Sequence, residues 1–174
     1  MKIFRVGITY RQQKGFTVIE AVVSLLIVSI ISLGATMANA QLMSQTSRND
    51  SFLTAERQAL NALHWISKDI QMAQSIQPSG LSGFPLTLEW IEWDNTASQV
   101  IYTLLNNNLK RSISVDAGTA RDSLVASFIN SDNDMTYCSS NNGTLTVKVT
   151  SSITRGGKTI DVSKVDKITS RPNL

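Results

Sequence analysis

The sequence is poor in the residues that build disulfide frameworks, metal centres and catalytic triads. Its 174 residues include one cysteine, Cys138, and one histidine, His64. A lone cysteine cannot form an intrachain disulfide, so Cys138 is either a free thiol or half of a link to another molecule. A lone histidine without clustered ligands favours neither a metal site nor a Ser-His-Asp triad, and we interpret His64 as a helix-surface residue. The sequence therefore predicts no catalytic site, no cofactor and no bound metal.

Charge is also scarce, because charged residues make up 17% of the chain against roughly 25% in typical soluble domains. No charged residue lies between Glu20 and Arg48. The basic excess is concentrated ahead of that gap, in Lys2, Arg5, Arg11 and Lys14. Without these four the count is 16 − 4 = 12 basic against 13 acidic residues, so the net charge falls from +3 to −1. This distribution favours membrane orientation over phosphate binding, and no nucleic-acid partner is expected.

The uncharged gap contains an apolar run over residues 21–40. At about 1.5 Å per residue, roughly 20 helical residues span about 30 Å, the thickness of the hydrocarbon core of a bilayer. The preceding cations should stay on the cytoplasmic side. The sequence therefore predicts a single-pass protein of the cytoplasmic membrane whose C-terminal region lies outside the cytoplasm.

Proline is absent before Pro78, which favours one uninterrupted helix from about Phe16 to about Ile76. Beyond Ser51, apolar residues recur at steps of three and four and predict an amphipathic helix with one core-facing stripe. The stripe consists of Phe52, Ala55, Ala59, Leu60, Leu63, Ile66, Ile70, Ala73 and Ile76. Charged residues such as Asp69 are assigned to the polar side, and Pro78-Ser79-Gly80 is expected to end the helix.

After Pro85 the apolar period becomes strand-like. The predicted strands cover residues 86–90, 100–105, 109–115, 123–129, 145–150 and 160–165, with loops at 116–122 and 130–142. Turn signals at Asn106-Asn107-Asn108, Asn141-Asn142-Gly143 and Gly156-Gly157 predict hairpins and thus an antiparallel sheet. The amphipathic helix would cover one face of this sheet, giving an α+β fold.

The two tryptophans after Pro85 and one acidic segment are interpreted as structural features. Trp90 and Trp93 could form an exposed recognition patch, but we expect them to pack in the core of the sheet and at its edge. Asp132-Asn133-Asp134 resembles the opening of a calcium loop but lacks the glycine and glutamate of that pattern, so we interpret it as a solvated turn.

The most specific motif is Gly15-Phe16-Thr17-Val18-Ile19-Glu20, placed between the basic leader and the apolar run. It resembles the processing signal of type IV prepilins and type II secretion pseudopilins. The resemblance implies that a membrane-embedded peptidase cuts after Gly15 and methylates the new amine of Phe16, and that Glu20 serves assembly. It also implies a pilin-like α+β fold with a long N-terminal helix. The expected regions are a cleaved leader (1–15), a transmembrane segment (16–40), an amphipathic continuation of the helix (41–77) and a β-sheet region (78–174).

The segment from Ala62 to Ala73 is similar to minor pseudopilins of the J type and to W-type minor pilins. The resemblance therefore implies a minor structural subunit, not an enzyme, that co-assembles into or primes a type IV pilus or a type II secretion pseudopilus. The implied partners are other major and minor pilins or pseudopilins, the prepilin peptidase and methyltransferase, and the assembly platform with its ATPase. Secretion, motility, adhesion and DNA uptake all remain open.

A different class of function also fits part of the sequence. Ala38-Asn39-Ala40 is an A-x-A-like site after an apolar stretch, so signal peptidase could release a secreted binding protein after Ala40. Glu20 at the start of the apolar run and the complete hexad favour the pilin interpretation instead.

Overall fold

The computed structural model describes residues 15–141 and 144–169; most of the predicted leader (residues 1–14) lies outside the described residues. The described chain contains helix α1 (Val18–Met72) and eight strands. The strands are β1 (Ser75–Pro78), β2 (Leu86–Ile91), β3 (Ala97–Leu105), β4 (Asn108–Val115), β5 (Arg121–Ser127), β6 (Tyr137–Asn141), β7 (Thr144–Arg155) and β8 (Lys158–Thr169). Contacts divide the chain into two compact units at Thr46 and Ser47, and α1 contributes residues to both.

Helix α1 ends at Met72, earlier than the predicted end at Ile76. The residues that follow form β1 instead and pair with β2. The Ala73 N–H still bonds to the helix carbonyl of Asp69, whereas the Gln74 N–H donates to the Glu89 carbonyl of β2 at 2.8 Å. The prediction of helix to Ile76 was wrong because an apolar residue at this spacing also fits a half-buried strand, and pairing with β2 decides between the two.

The strands form two antiparallel sheets, where the sequence suggested one. The larger sheet has the order β1-β2-β3-β4-β5, and the smaller has the order β6-β7-β8. Residues 130–142 were predicted as loop, but they contain β6, which pairs with β7. Strand β6 was not predicted because Ser139, Ser140 and Asn141 are all polar and exposed and show no apolar alternation. Strand β5 also begins at Arg121, inside the predicted loop 116–122.

Two of the predicted hairpin turns are confirmed in detail. Asn106 and Asn107 have φ angles of 50° and 59° between β3 and β4, and Gly156 and Gly157 have φ angles of 59° and 73° between β7 and β8. Positive φ at both central residues defines the turn whose twist matches that of paired strands, and asparagine and glycine tolerate it best. The third predicted turn falls on Asn142 and Gly143, which lie outside the described residues.

Within residues 47–174, the second half of α1 and the inner faces of both sheets share one apolar core. The helix contributes Ala59, Ala62, Leu63, Ile66 and Ile70 to it, and Ala73, directly after the end of the helix, also belongs to it. The predicted stripe is thus confirmed at these apolar positions, whereas Phe52 and Leu60 are 45% and 48% exposed. The core is filled by small alanines and larger aliphatic side chains from the helix together with large side chains from both sheets. This arrangement confirms the predicted α+β fold.

Candidate functional site

The hexad lies at the start of α1, where a capped helix follows exposed, non-helical backbone. Gly15, Phe16 and Thr17 precede the helix, which begins at Val18. The hydroxyl oxygen of Thr17 accepts a hydrogen bond from the Glu20 N–H at 3.3 Å. Thr17 is therefore the N-cap, and its hydroxyl satisfies one of the amide donors that the first helical turn leaves without a partner. The sequence Thr17-x-x-Glu20 is also that of a capping box.

The bond between Gly15 and Phe16 is accessible. Among the described residues, and apart from the chain neighbours of Gly15, no heavy atom lies within 4 Å of the place a Cβ would occupy on Gly15, and the Phe16 side chain is 73% exposed. Exposed backbone that is not hydrogen-bonded into a helix is the conformation in which proteases reach a peptide bond. The peptide bond at the predicted cleavage position is therefore sterically accessible.

Glu20 lies in the first turn of α1. The N-terminus of a helix carries a partial positive charge, which favours a carboxylate there and disfavours an amine. An α-amine created at Phe16 would stand close to this positive end and would gain from a nearby anion. Glu20 is the acidic residue available in that turn, and the next charged residue along the chain is Arg48.

The first half of α1 presents an apolar surface that no part of residues 15–141 and 144–169 covers. Among the described residues, α1 is the helix long and apolar enough to cross a membrane, and none of its most apolar 18-residue window is buried. Its large exposed side chains include Val22, Leu25, Leu26, Ile30, Ile31 and Leu33. A contiguous apolar surface of this kind is covered by lipid or by other protein.

A second polar cluster lies in the core, and the sequence analysis missed it. Asp69 was assigned to the polar side of the helix, but its side chain is 1% exposed. It accepts hydrogen bonds from Arg111 Nε at 2.7 Å, from Arg111 Nη2 at 3.1 Å and from the Tyr102 hydroxyl at 2.5 Å. The Arg111 guanidinium also lies 5.3 Å from the ring centre of Trp65. A signal was present, because Asp69 follows Ile66 by three positions and precedes Ala73 by four, which is the spacing of the stripe.

This cluster has a structural role. Its hydrogen bond to Asp69 raises the pKa of Arg111, and burial raises the pKa of Tyr102. The guanidinium therefore stays charged and the phenol stays neutral at physiological pH. The arrangement is a two-pronged ion pair that joins α1 to β3 and β4, with no nucleophile or base free to react.

The other residues singled out from the sequence take separate positions. His64 is exposed on α1, as predicted. Trp90 is buried, as predicted. Trp93 is 95% exposed, so the prediction that it packs at the edge of the sheet was wrong. Cys138 is 5% exposed, and burial raises the pKa of its thiol to about 12, which favours the free-thiol alternative. The Asp132 carbonyl accepts the Met135 and Thr136 N–H groups at 2.9 Å each, and within residues 15–141 and 144–169 no three acidic, His or Cys side chains are placed to hold a metal.

Comparison with known proteins identifies the motif. The family model of the prokaryotic N-terminal methylation motif matches residues 10–36, which include the hexad and the first turns of α1. Neither the curated proteins nor the solved structures contain a match to the chain. With a long N-terminal apolar helix and antiparallel strands, the architecture is the type IV pilin-like α+β fold.

The matched motif supports a type IV pilin- or pseudopilin-like protein. Proteins of this kind are structural subunits, and the motif implies processing by a prepilin peptidase and assembly with pilins. The apolar helix and the motif together fit a membrane anchor.

Proposed function

We propose that the chain is a minor pilin or pseudopilin that is cut after Gly15, N-methylated at Phe16 and then co-assembled into, or used to prime, a type IV pilus or a type II secretion pseudopilus. The observation that carries this proposal is the exposed, non-helical Gly15–Phe16 bond directly ahead of a helix capped by Thr17. The similarity of residues 62–73 to minor subunits supports the minor role.

Glu20 is proposed to hold the subunit in register. Within a bundle of apolar helices a carboxylate needs a cation, and the new amine at Phe16 of a neighbouring subunit is one. Removing one member of a buried pair typically costs about 3–5 kcal/mol. The exposed apolar side chains of α1 supply the remaining cohesion through burial, while the pair fixes the axial position.

The proposal assigns four regions to the chain. Residues 1–15 are the removed leader, because a polar and basic segment cannot enter an apolar bundle. Residues 16–40 span the cytoplasmic membrane, and the rest of the chain lies outside the cytoplasm before assembly. The amphipathic continuation ends with α1 at Met72 instead of residue 77, and the β-strands follow. The proposed partners are major and minor pilins, the processing enzyme, and the assembly platform with its ATPase.

Cleavage after Ala40 is the competing possibility, and the helix argues against it. Residues 38–40 lie within α1, so their backbone is hydrogen-bonded in a helix and is not presented in extended form. The Gly15–Phe16 bond lies outside the helix.

Intact-mass and N-terminal peptide analysis of the protein from its native host tests the proposal. We expect a chain that begins at Phe16 and carries one added methyl group. The variant Gly15→Val should accumulate with its leader attached, because a branched side chain obstructs the bond to be cut. Gly34→Ala is the matched control, since Gly34 also has open space around it but lies away from the cut. A mature terminus at Gln41, or retention of residues 1–15 in all recovered protein, would overturn the proposal.

A further inference from the structure

Two hairpin turns in residues 47–169 carry opposite charge at their tips. The first, which we call the acidic tip, is Glu92-Trp93-Asp94 between β2 and β3. The second, which we call the basic tip, is Arg155-Gly156-Gly157-Lys158 between β7 and β8. All of these residues are exposed, and Trp93 is 95% exposed.

The acidic tip is an ordered structure. The Trp90 indole N–H donates to Glu92 Oε1 at 2.9 Å, and the Thr96 N–H donates to Asp94 Oδ1 at 3.0 Å. The bonds from Thr96 also lower the pKa of Asp94, which keeps this carboxylate charged. The hydrogen-bonded carboxylates of Glu92 and Asp94 thus lie on either side of Trp93 in the sequence, and the Trp93 indole is almost fully exposed. An aromatic face beside anionic groups is a favourable site for a Lys or Arg side chain.

A groove of about 470 Å³ is lined mainly by the residues of β2 and β3 that adjoin the acidic tip in sequence, among them Ile91 and Ala97. Glu89 is the charged residue among those that line it, and its carboxylate accepts a hydrogen bond from Gln99 at 2.7 Å. Ile91, 54% exposed, adds an apolar wall. An apolar wall beside a carboxylate suits a long side chain with an aliphatic stem and a cationic head.

The basic tip carries a charge arrangement that favours an outside partner. Arg155 and Lys158 stand directly opposite each other in the register of β7 and β8, and like charges in this position destabilise a strand pair. The ion pairs formed within residues 15–141 and 144–169 are Arg111–Asp69 and Lys164–Glu56. Neither the basic nor the acidic tip is therefore neutralised by the described part of the chain.

The two sheets as a whole also carry net charges of opposite sign. Residues 75–127 hold three basic and five acidic residues, a net charge of −2, and residues 137–169 hold five basic and two acidic residues, a net charge of +3. Removal of the leader leaves the chain near neutrality, so two copies would not repel each other overall.

We propose that the acidic tip and its groove receive the basic tip of a second copy of this chain. Arg155 and Lys158 would meet Trp93 and the carboxylates of Glu92, Asp94 and Glu89. Because the contact joins two different surfaces, it is a heterologous contact and not a symmetric pairing of identical patches. The inference goes beyond the proposed function, since both tips belong to the unit of residues 47–174 and the hexad to the other unit, and the contact does not depend on the cut after Gly15.

Carbodiimide crosslinking tests the contact, because this reagent joins a lysine amine to a carboxylate only where the two touch. Unlabelled and ¹⁵N-labelled full-length chains are purified separately in detergent, mixed and crosslinked, and the peptides are analysed by mass spectrometry. We expect amide links between Lys158 of one chain and Glu92 or Asp94 of a chain with the other label, with a yield that falls in 1 M salt because exposed charges are screened.

Variants that keep both reacting groups give the control. Trp93→Ala and Arg155→Ala should each reduce the intermolecular link several-fold, whereas Lys167→Ala, an exposed cation on β8, should not. Exchanging the charges, with E92K and D94K combined with R155E and K158E, should restore links of reversed polarity. Absence of mixed-label links, links from Lys158 to other carboxylates only, or yields unaffected by Trp93→Ala and Arg155→Ala would overturn the inference. The mass of the N-terminus, measured on the same sample, reports separately on the proposed processing.

Discussion

The carboxylate of Asp69 ties the helix to the larger sheet through three hydrogen bonds, two from Arg111 and one from Tyr102. Two ions leave water when such a pair is buried, so a hydrophobic replacement of both can be neutral, whereas loss of one leaves the other without a partner. The position of this ion pair depends on residues 33 and 42 positions away in sequence. A single residue can therefore fix how α1 lies against β3 and β4.

Substituting Asp69→Asn should lower the free energy of unfolding by about 3–5 kcal/mol, because it leaves the Arg111 charge unpaired in the interior. Urea unfolding of the full chain in detergent, followed by tryptophan fluorescence, measures the change. The matched control is Glu56→Gln, which breaks the Lys164–Glu56 pair whose side chains are 34% and 30% exposed and should cost less than about 1 kcal/mol. Equal shifts for the two variants would contradict a dominant role for the buried pair.

Cys138 should make the folded state sensitive to alkaline pH. Burial raises the pKa of its thiol to about 12 in the folded state, against about 8.5 in an unfolded chain. The native state thus holds its proton more tightly, so this contribution is fully present below about pH 8.5 and is lost as pH rises towards 12.

In urea titrations between pH 8 and 10, the unfolding free energy should fall above about pH 8.5 with a slope approaching 1.4 kcal/mol per pH unit. Cys138→Ala should remove that slope even if it lowers the stability at pH 8. The same burial should protect Cys138 from maleimide in the folded protein and expose it in urea. Rapid labelling of the folded protein would show that the thiol is accessible after all.

At the scale of elements, one tight turn connects the larger sheet to β6. Gly83, between β1 and β2, has a φ of 74°, and a Cβ there would lie 2.1 Å from the Cys138 carbonyl oxygen of β6. The Cys138 N–H donates to the Ser82 carbonyl at 2.8 Å in the same place. Close backbone approach and left-handed backbone together require glycine at this position.

Gly83→Ala and Gly157→Ala form a matched pair, since their φ angles are 74° and 73° and a Cβ at Gly157 meets nothing within 4 Å. Gly157→Ala should cost about 1–2 kcal/mol from left-handed strain alone. Gly83→Ala carries the same strain plus a backbone clash, so its loss should be larger by about 1–3 kcal/mol. Denaturant midpoints of the two full-length variants decide the matter, and similar losses would show that the turn can shift away from β6.

Strand and helix boundaries show where local sequence is insufficient. The confirmed hairpin turns at Asn106-Asn107 and Gly156-Gly157 follow from residues that tolerate positive φ, which is a local property. The end of α1 and the existence of β6 depend on partners elsewhere in the chain, Glu89 for Gln74 and Lys148 for Tyr137. A local pattern contains no information about whether such a partner is within reach.

At the scale of the whole molecule, the prediction concerns assembly. Glu20→Ala should leave membrane insertion intact, because removing a charge favours insertion, but should reduce recovery of the protein in sheared filaments by at least about tenfold. Asp50→Ala is the control, since it also removes an exposed acid of α1 but lies outside the first turn of the helix, where the proposed pairing takes place. Membrane fractions and sheared filaments are compared by immunoblotting, and unchanged recovery of Glu20→Ala would exclude the proposed pairing.

The amino-acid sequence by itself determined the features that depend on neighbouring residues: the apolar run, the hexad from Gly15 to Glu20, most strands and two hairpin turns. Each follows from chain periodicity, backbone preference or a contiguous motif, which are local in space because they are local in sequence. The tertiary structure decided the burial of Asp69 beside Arg111, the division of the strands into two sheets, the approach of Gly83 to Cys138 and the exposure of Trp93. These depend on which distant residues meet, and that is fixed only when the apolar core has packed.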